Sequence, residues 1–257
     1  MIRAFCLKKR PNCCVTFFKL NGKKQKRVIY YNSKKFYELF QILKVRVSVD
    51  SLEGGLALLD RSIPFYNTIL RCDDYQHRDV VLPDGFCIVP YKEGYEKAWA
   101  ELEFSVGDFD SLEEAEHYFV SSYMQDRELL DKNVRFLLNE EQVVIGSCIA
   151  WQDKRQDSVV PSLHWLIVDD KYQGRGLGRA LCCEIMNIFE EQGRFPVYIH
   201  TQPWSWKAIF LYLSVGFKLQ MTDTFSHYTN EYPQAMDILK GIVDEKQFRL
   251  LTERSEK

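Results

Sequence analysis

Long apolar runs and paired cysteine motifs are both missing from this sequence of 257 residues. No stretch contains the roughly 18 consecutive apolar residues that a transmembrane helix needs, so no membrane span is expected. The eight cysteines include no Cys-x-x-Cys pair, the spacing typical of structural zinc sites, so no bound metal is expected. Without such motifs the cysteines are predicted to be reduced thiols, as in a cytoplasmic protein.

An excess of either charge is also missing overall, because the formal net charge is only −2. The first 50 residues, however, carry 13 lysines and arginines against Glu38 and Asp50 alone. This asymmetry, with the turn Leu82-Pro-Asp-Gly85, predicts a small basic α+β unit of unknown role over residues 1–82 and a second unit over 83–257. No RNA- or DNA-binding motif accompanies the basic residues, so nucleic acid is not expected as a partner.

The basic unit contains patterns typical of short strands and helices. Residues 15–31 predict a β-hairpin whose turn is Asn21-Gly22. A helix is expected after Ser33, a strand over Val45–Val49 and a short helix over Leu52–Leu59.

The most informative stretch runs from Leu163 to Leu181. It predicts a buried strand, Leu163–Val168, then a polar turn with glycines at alternate positions, then a helix that Gly193 ends. The first turn of a helix has backbone N–H groups without partners, and its dipole favours negative charge. Glycines remove the side chains that would keep a diphosphate at a distance, so residues 173–178 are predicted to bind such an anion. A P-loop is excluded, because no Gly-Lys-Ser or Gly-Lys-Thr follows.

A second motif lies downstream. Pro196–Thr201 predicts a strand, and Ser205 is a suitable N-cap for the helix that follows. One apolar face of that helix carries Tyr212, and Gly216 is placed to end it with Phe217 folding back.

Together, Gln173-x-x-Gly176-x-Gly178 and Ala208-x-x-Leu-Tyr212-x-x-x-Gly216-Phe217 resemble the GNAT superfamily of N-acetyltransferases. The resemblance implies an α/β (α+β) fold, with a mixed twisted sheet flanked by helices, over roughly residues 83–220. The order of elements agrees with it: a strand at Phe86–Tyr91, a helix around Glu93–Phe104, a second helix capped at Asp110-Ser111, and a hairpin of strands 134–138 and 143–151. Gly146 within that hairpin predicts a bulge or a close backbone approach. The tail departs from the family pattern, because a short strand at 219–224 and a helix at 230–251 are expected where a last hairpin is usual.

The resemblance also implies a cofactor site for acetyl-CoA, as co-substrate, with no metal. Backbone groups of Leu166, Ile167 and Val168 would bind the pantetheine arm and polarise the thioester carbonyl. Ser205 stands at the position where relatives often have an asparagine that contacts this arm. Tyr212 would be the general acid for the departing thiolate. The pyrophosphate would be held by the loop residues Gln173, Gly174, Arg175, Gly176, Leu177, Gly178 and Arg179.

The general base is left open between two histidines. Many relatives have a glutamate on the fourth strand where this chain has Ser162. His164 matches a histidine of the arylalkylamine N-acetyltransferases, and strict alternation would place Ser162, Leu166 and Val168 on its face. The other reading is a histidine that merely packs on a buried strand. His200 is the second candidate, while Glu101 and Glu103 are weaker ones for holding a cationic acceptor.

These expectations give an N-acetyltransferase that moves an acetyl group from acetyl-CoA to a primary amine by direct attack in a ternary complex. The acceptor is expected to be a small amine, and the protein a monomer or homodimer. The alternatives are a peptide or protein N-acetyltransferase, or an inactive CoA-binding sensor that has lost the usual glutamate.

Overall fold

The structure, a computed structural model, describes residues 62–257 throughout and three strands of the N-terminal part. By its internal contacts the chain divides into two compact units, Met1–Gly54 and Gly55–Lys257. Each is described by itself.

The N-terminal unit contains an antiparallel sheet of strands β1 (Phe5–Arg10), β2 (Cys13–Leu20) and β3 (Lys23–Ile29), in that order. The pairing of β2 with β3, from Cys14 with Ile29 to Leu20 with Lys23, confirms the strands of the predicted hairpin. Strand β1 was not predicted. The helix expected after Ser33, the strand at 45–49 and the helix at 52–59 lie outside the described residues.

The second unit is built on an eight-stranded sheet, counted within residues 62–257. Its strand order is β11-β10-β4-β9-β8-β7-β6-β5, and neighbours are antiparallel except for β8 with β9 and β10 with β11. The strands are β4 (Thr68–Cys72), β5 (Cys87–Pro90), β6 (Val134–Leu138), β7 (Val144–Arg155), β8 (Ser158–Val168), β9 (Val197–Thr201), β10 (Lys218–Gln220) and β11 (Ser255–Glu256).

Seven α-helices accompany these strands within the same residues. They are α1 (Tyr95–Val106), α2 (Leu112–Tyr123), α3 (Arg127–Asn133), α4 (Leu177–Glu191), α5 (Trp206–Val215), α6 (Tyr232–Ile242) and α7 (Glu245–Glu253). In the described part of the chain, none of the helices has the length and apolarity required to span a membrane.

Two cores lie on opposite faces of the sheet, as the alternation along β7 shows. Cys148 and Ala150 belong to one apolar cluster with helices α4 and α5, whereas Ile149 belongs to another with α1, α2 and α3. Successive residues of a strand point to opposite faces, so one strand contributes to both cores.

The predicted mixed α/β class is confirmed, and most of the predicted elements are present. Ser111 caps α2, accepting a hydrogen bond from the backbone N–H of Glu114. Strands β7 and β8 each extend beyond their predicted bounds. Helix α3 was not predicted. The expected C-terminal helix is two helices, since Asp244 begins α7 with a capping box. The strand expected at 219–224 is limited to β10, which pairs with the last strand, β11.

Strand β4 pairs between β9 and β10, in the interior of the large sheet. Ile69 and Leu70 are fully buried there. Residues 68–72 therefore pack with the second unit, although the sequence boundary after residue 82 had assigned them to the first.

Candidate active site

Strand β8 contains a bulge that shapes the site. Ser147 pairs with Ile167 and Ile149 pairs with His164, so two residues of β8 lie opposite the single residue Cys148 of β7. Trp165, one of these two, has a φ of 51°, outside the extended conformation of a regular strand. The extra residue breaks the alternation that was expected along the strand. Val168 packs in the cluster beneath α4, so its predicted place on the face of His164 is wrong.

The neighbouring strands β8 and β9 separate beyond this region. Within residues 62–257, the two strands pair only at Ser162 and Tyr198. A cavity of about 400 Å³ lies between their carboxyl ends. Its walls are formed by Phe65, Glu103, Asp108, Tyr118, Asp153, Leu163, His164, Trp165, Leu166, His200, Thr201, Gln202, Trp204, Ser205, Ala208, Tyr212, Phe225 and Tyr228.

The cavity brings together part of the predicted site. His164, Leu166, His200, Ser205 and Tyr212 all line it. Ile167, Val168 and the glycine loop are outside its walls. Ile167 and Val168 are buried at the end of β8, directly before the turn that leads to the loop.

Two residues of the glycine loop have a backbone conformation that favours glycine. Gly174 and Gly176 have φ values of 78° and 81°, which L side chains rarely adopt, and a side chain at either would point into open space. Helix α4 begins at Leu177 with no side-chain cap and no acidic residue in its first turn. The backbone N–H groups of this turn therefore face an open, uncrowded surface suited to an anion.

Two further positions of the motif, Gln173 and Gly178, have structural contacts instead. The side-chain amide of Gln173 donates to the carbonyl oxygen of Val168 at 3.0 Å and to Asp170 Oδ1 at 2.7 Å, which fixes the turn. A Cβ atom at Gly178 would lie 3.2 Å from Cδ1 of Leu211, so this glycine lets α4 and α5 pack closely.

Tyr212 lies in helix α5 and is 6% exposed. Its hydroxyl makes no hydrogen bond with any residue in the described part of the chain, although the ring lines the cavity. Burial, with smaller contributions from Cys182, Cys148 and Glu103, raises the pKa of Tyr212 well above its usual value. The phenol therefore keeps its proton, the form that a general acid requires.

His164 belongs to a hydrogen-bonded chain across the sheet. Its Nε2 lies 2.7 Å from Asp153 Oδ2 and 3.0 Å from Ser162 Oγ, and its Nδ1 lies 2.8 Å from the Tyr123 hydroxyl. The indole N–H of Trp165 donates to the same hydroxyl at 2.8 Å. His164 and Trp165 are consecutive, so only the bulge lets both side chains reach one oxygen atom.

Asp153 is the anion of this chain. Burial opposes its ionisation, but hydrogen bonds from His164 and Ser162 outweigh it and hold the pKa of Asp153 below its usual value. Because the carboxylate only accepts, Nε2 of His164 carries a hydrogen and both ring nitrogens have partners.

His200 has a different environment. Its Nε2 lies 2.8 Å from Asn67 Oδ1, and Asn67 is oriented by the hydrogen bond from its amide nitrogen to Glu231. The imidazole stacks on Tyr228 with 3.7 Å between ring centroids. Burial, aided by His227, lowers the pKa of His200 to about 4, so the ring is neutral at physiological pH.

Several lining residues were missed by the sequence reasoning. Asp153 and Asp108 supply carboxylates, and Phe65, Tyr118, Phe225 and Tyr228 supply rings. A sequence signal for Asp153 does exist. Placing the hairpin turn at 156–157 sets the register of β7 and β8, which pairs Asp153 with Val160, two residues before Ser162. Glu101 is exposed, whereas Glu103 is buried in the wall.

Comparison with known proteins points to one family. Residues 92–217 match the model of the Acetyltransferase (GNAT) family. None of the curated proteins gives a significant match in sequence.

Solved structures similar to this chain include several acetyltransferases. A GCN5-related N-acetyltransferase from Sphaerobacter thermophilus is 18% identical, with a TM-score of 0.47, over 60% of this chain and 48% of its own. This chain thus spans about half of that structure. A GNAT-family acetyltransferase from Colwellia psychrerythraea is 13% identical, with a TM-score of 0.47, over 81% and 83% of the two chains. Glucosamine-6-phosphate N-acetyltransferase from Arabidopsis thaliana is 15% identical, with a TM-score of 0.40, over 57% and 98%.

Proposed function

The chain belongs to the GNAT acetyltransferase family through residues 92–217, which makes it an acyltransferase, and from this premise we propose that it transfers an acetyl group from acetyl-CoA to a small primary amine. The amine nitrogen attacks the thioester carbon directly, with both substrates bound at once. The carbon–sulfur bond then breaks, and the sulfur takes a proton from Tyr212.

One observation carries this proposal. The cavity at the separated ends of β8 and β9 contains a protonated phenol that has no hydrogen-bond partner within the described residues, beside carboxyl groups that can attract an amine. A CoA-binding sensor would have no need for a proton donor at this position.

The residues present suit acetyl-CoA. In this proposal the uncapped start of α4 and the open loop at Gly174 and Gly176 hold the pyrophosphate through backbone N–H groups. Exposed Arg175 and Arg179 add positive charge. Backbone groups of Leu166, Ile167 and Val168 bind the pantetheine arm and polarise the thioester carbonyl. The acetyl thioester supplies the activated carbonyl.

Ser205 has a place in this arrangement. Its predicted capping bond is missing, because its Oγ accepts from the side-chain amide of Gln202 at 3.0 Å. The hydroxyl hydrogen is then free for the pantetheine arm.

The two histidines have separate roles in the proposal. His164, whose nitrogens are both engaged, orients the Asp153 carboxylate and relays protons through Tyr123. His200, neutral and stacked on Tyr228, leaves Nδ1 as an acceptor toward the substrate.

The walls of the cavity favour a cationic acceptor with an apolar body. Glu103, Asp108 and Asp153 line it, and none of its wall residues, all within 62–257, is a lysine or arginine. Aromatic rings surround these carboxyl groups, and such rings attract ammonium groups through their faces.

The test is release of free thiol from acetyl-CoA against a panel of amines, polyamines, aminoglycosides and short peptides. With the best amine, we expect Tyr212→Phe to lower kcat by about 100-fold, the scale of a lost general acid, with little change in KM. Tyr232→Phe is the matched control, because its hydroxyl bonds Ser255 outside the cavity. Binding of acetyl-CoA without turnover of any amine would favour the sensor instead.

A further inference from the structure

Glu103 is a buried carboxyl group that the proposed reaction has not yet used. It lies in α1 and is 2% exposed, while Glu101 on the same helix is exposed. Its side chain forms part of the cavity wall, and its Oε1 has no hydrogen-bond partner among the described residues. A carboxyl group buried with a free oxygen at a substrate cavity is prepared to receive a donor from a ligand.

Asp108 connects this buried group to solvent. Gly107, with a φ of 83°, ends α1 and turns the chain, so the backbone N–H of Asp108 donates to the carbonyl oxygen of Glu103 at 3.2 Å. The two carboxyl groups are hydrogen-bonded to each other. Asp108 is exposed at the cavity wall, whereas Glu103 is not. The pair therefore spans the distance from the buried wall to water.

The surroundings of Glu103 contain no compensating cation within the described residues of the cavity. Burial first, then the charge and hydrogen bond of Asp108, raise the pKa of Glu103 well above its usual value. Its charge contributes to raising the pKa values of Cys148 in β7 and Tyr212 in α5. Tyr118 of α2 and His164 of β8 line the same cavity. Glu103 thus shares the cavity with Tyr212, the proposed acid.

The two histidines are less suitable as proton acceptors for the amine. His164 has partners on both ring nitrogens, and His200 holds a proton only weakly because its pKa is lowered to about 4. A base that works near neutral pH needs a pKa close to that pH.

We propose that Glu103 is the proton acceptor for the attacking amine and that Asp108 passes the proton to solvent. The proposal rests on the acetyl transfer proposed above. An ammonium group entering the cavity pairs with Glu103, whose own proton leaves through Asp108. Glu103 then takes one N–H proton, which frees the nitrogen lone pair for attack on the thioester carbon. After the attack the nitrogen loses its second N–H proton, which restores the proton that Tyr212 gives to sulfur. Each turnover therefore releases one proton, the one that left Glu103 through Asp108.

The test is the pH dependence of kcat/KM, with acetyl-CoA and the best amine of the panel. For Glu103→Gln we expect a loss of about 100-fold at pH 7, the scale of general base catalysis. This loss should shrink as the pH approaches the pKa of the amine, because solution then supplies the neutral amine directly. For Asp108→Asn we expect the acid limb of the profile to move to lower pH, because the charge that raises the pKa of Glu103 is gone. Glu101→Gln is the control and should match the wild type.

Calorimetric titration with acetyl-CoA checks that Glu103→Gln still binds the co-substrate as the wild type does. A loss of the same size at every pH would indicate a structural role and overturn the assignment. An active wild type with an unchanged Glu103→Gln profile would overturn the assignment alone. A wild type that releases no thiol with any amine would overturn the acetyl transfer and, with it, this role of Glu103.

Discussion

Gly146 lies where β7 and β8 leave no room for a side chain. A Cβ atom at this position would be 2.7 Å from the carbonyl oxygen of Ile167 and 3.3 Å from Cγ2 of Val168. Backbone atoms cannot move aside as a flexible side chain can, so the strands themselves would have to separate. The close approach that the sequence predicted is therefore confirmed.

We expect Gly146→Ala to lower the free energy of unfolding by about 1–3 kcal/mol, the usual cost of an added group in a tightly packed region. Gly241→Ala is the control with the opposite sign. Gly241 is exposed in α6 with nothing within 4 Å of a Cβ atom, so alanine should stabilise the helix by about 0.5–1 kcal/mol. Urea denaturation measures both changes. Equal stability of the Gly146→Ala variant and the wild type would contradict the close approach.

Single residues differ in how far the sequence predicts them. Tyr212 and the loop glycines are parts of motifs, and local conformation determines their places. Glu103 and Glu101 are two residues apart in one helix and look alike in sequence, because which of them is buried depends on how α1 packs. Trp165 and Asp153 were missed for a related reason: the bulge and the hairpin register place them, and neither is set by local pattern.

The last strand, β11, pairs with the short strand β10 through backbone hydrogen bonds. The backbone N–H of Leu219 donates to Arg254 and that of Met221 donates to Glu256, each at 2.8 Å. The carboxylate of Glu256 also contacts Arg71, Lys218 and Gln220. Two kinds of interaction, backbone pairing and surface ion pairs, thus hold the same edge of the sheet.

Deleting residues 254–257 should expose the amides of Leu219 and Met221, so we expect their hydrogen exchange to become faster. Glu256→Gln keeps the backbone pairing and removes only partly exposed ion pairs, which contribute little. Its exchange at these two amides should stay close to that of the wild type. Amide-resolved exchange by NMR distinguishes the variants, and slow exchange in the shortened chain would show that β11 does not protect β10.

Element length explains which elements were predicted. Helix α4 has a long apolar stripe that identifies it from sequence alone, whereas α3 has seven residues and depends on the burial of Leu130. Strands β4 and β11 have five and two residues, and their partners lie far along the chain. Short elements of this kind take their stability from neighbours that sequence does not show to be near.

At the scale of the whole molecule, Glu103 links folding to pH. Its native pKa is raised, so the folded state holds a proton that the unfolded carboxylate loses above its ordinary pKa of about 4.3. The stabilisation that this bound proton gives to the folded state is fully present below that pH, and it is lost progressively as the pH rises toward the native pKa.

We expect Glu103→Gln to be more stable than the wild type at pH 8 and to lose most of that advantage at pH 4. Glutamine has no proton to lose, so the stability of the wild type relative to the variant should fall by about 1.4 kcal/mol per pH unit within the window. Urea unfolding at the two pH values, with Glu101→Gln as control, measures the difference. Parallel pH curves for wild type and Glu103→Gln would contradict a raised pKa and show that its burial is tolerated in ionised form.

Because of the bulge in β8, the cavity wall depends on the number of residues in this segment as well as on their types. Deleting Trp165 would restore strict alternation, so the residues after it would exchange faces with respect to those before it. A one-residue deletion or insertion between His164 and Val168 would therefore remake the wall, while leaving every remaining amino acid unchanged. Among homologues, the length of this segment becomes a property to compare before any substitution is interpreted.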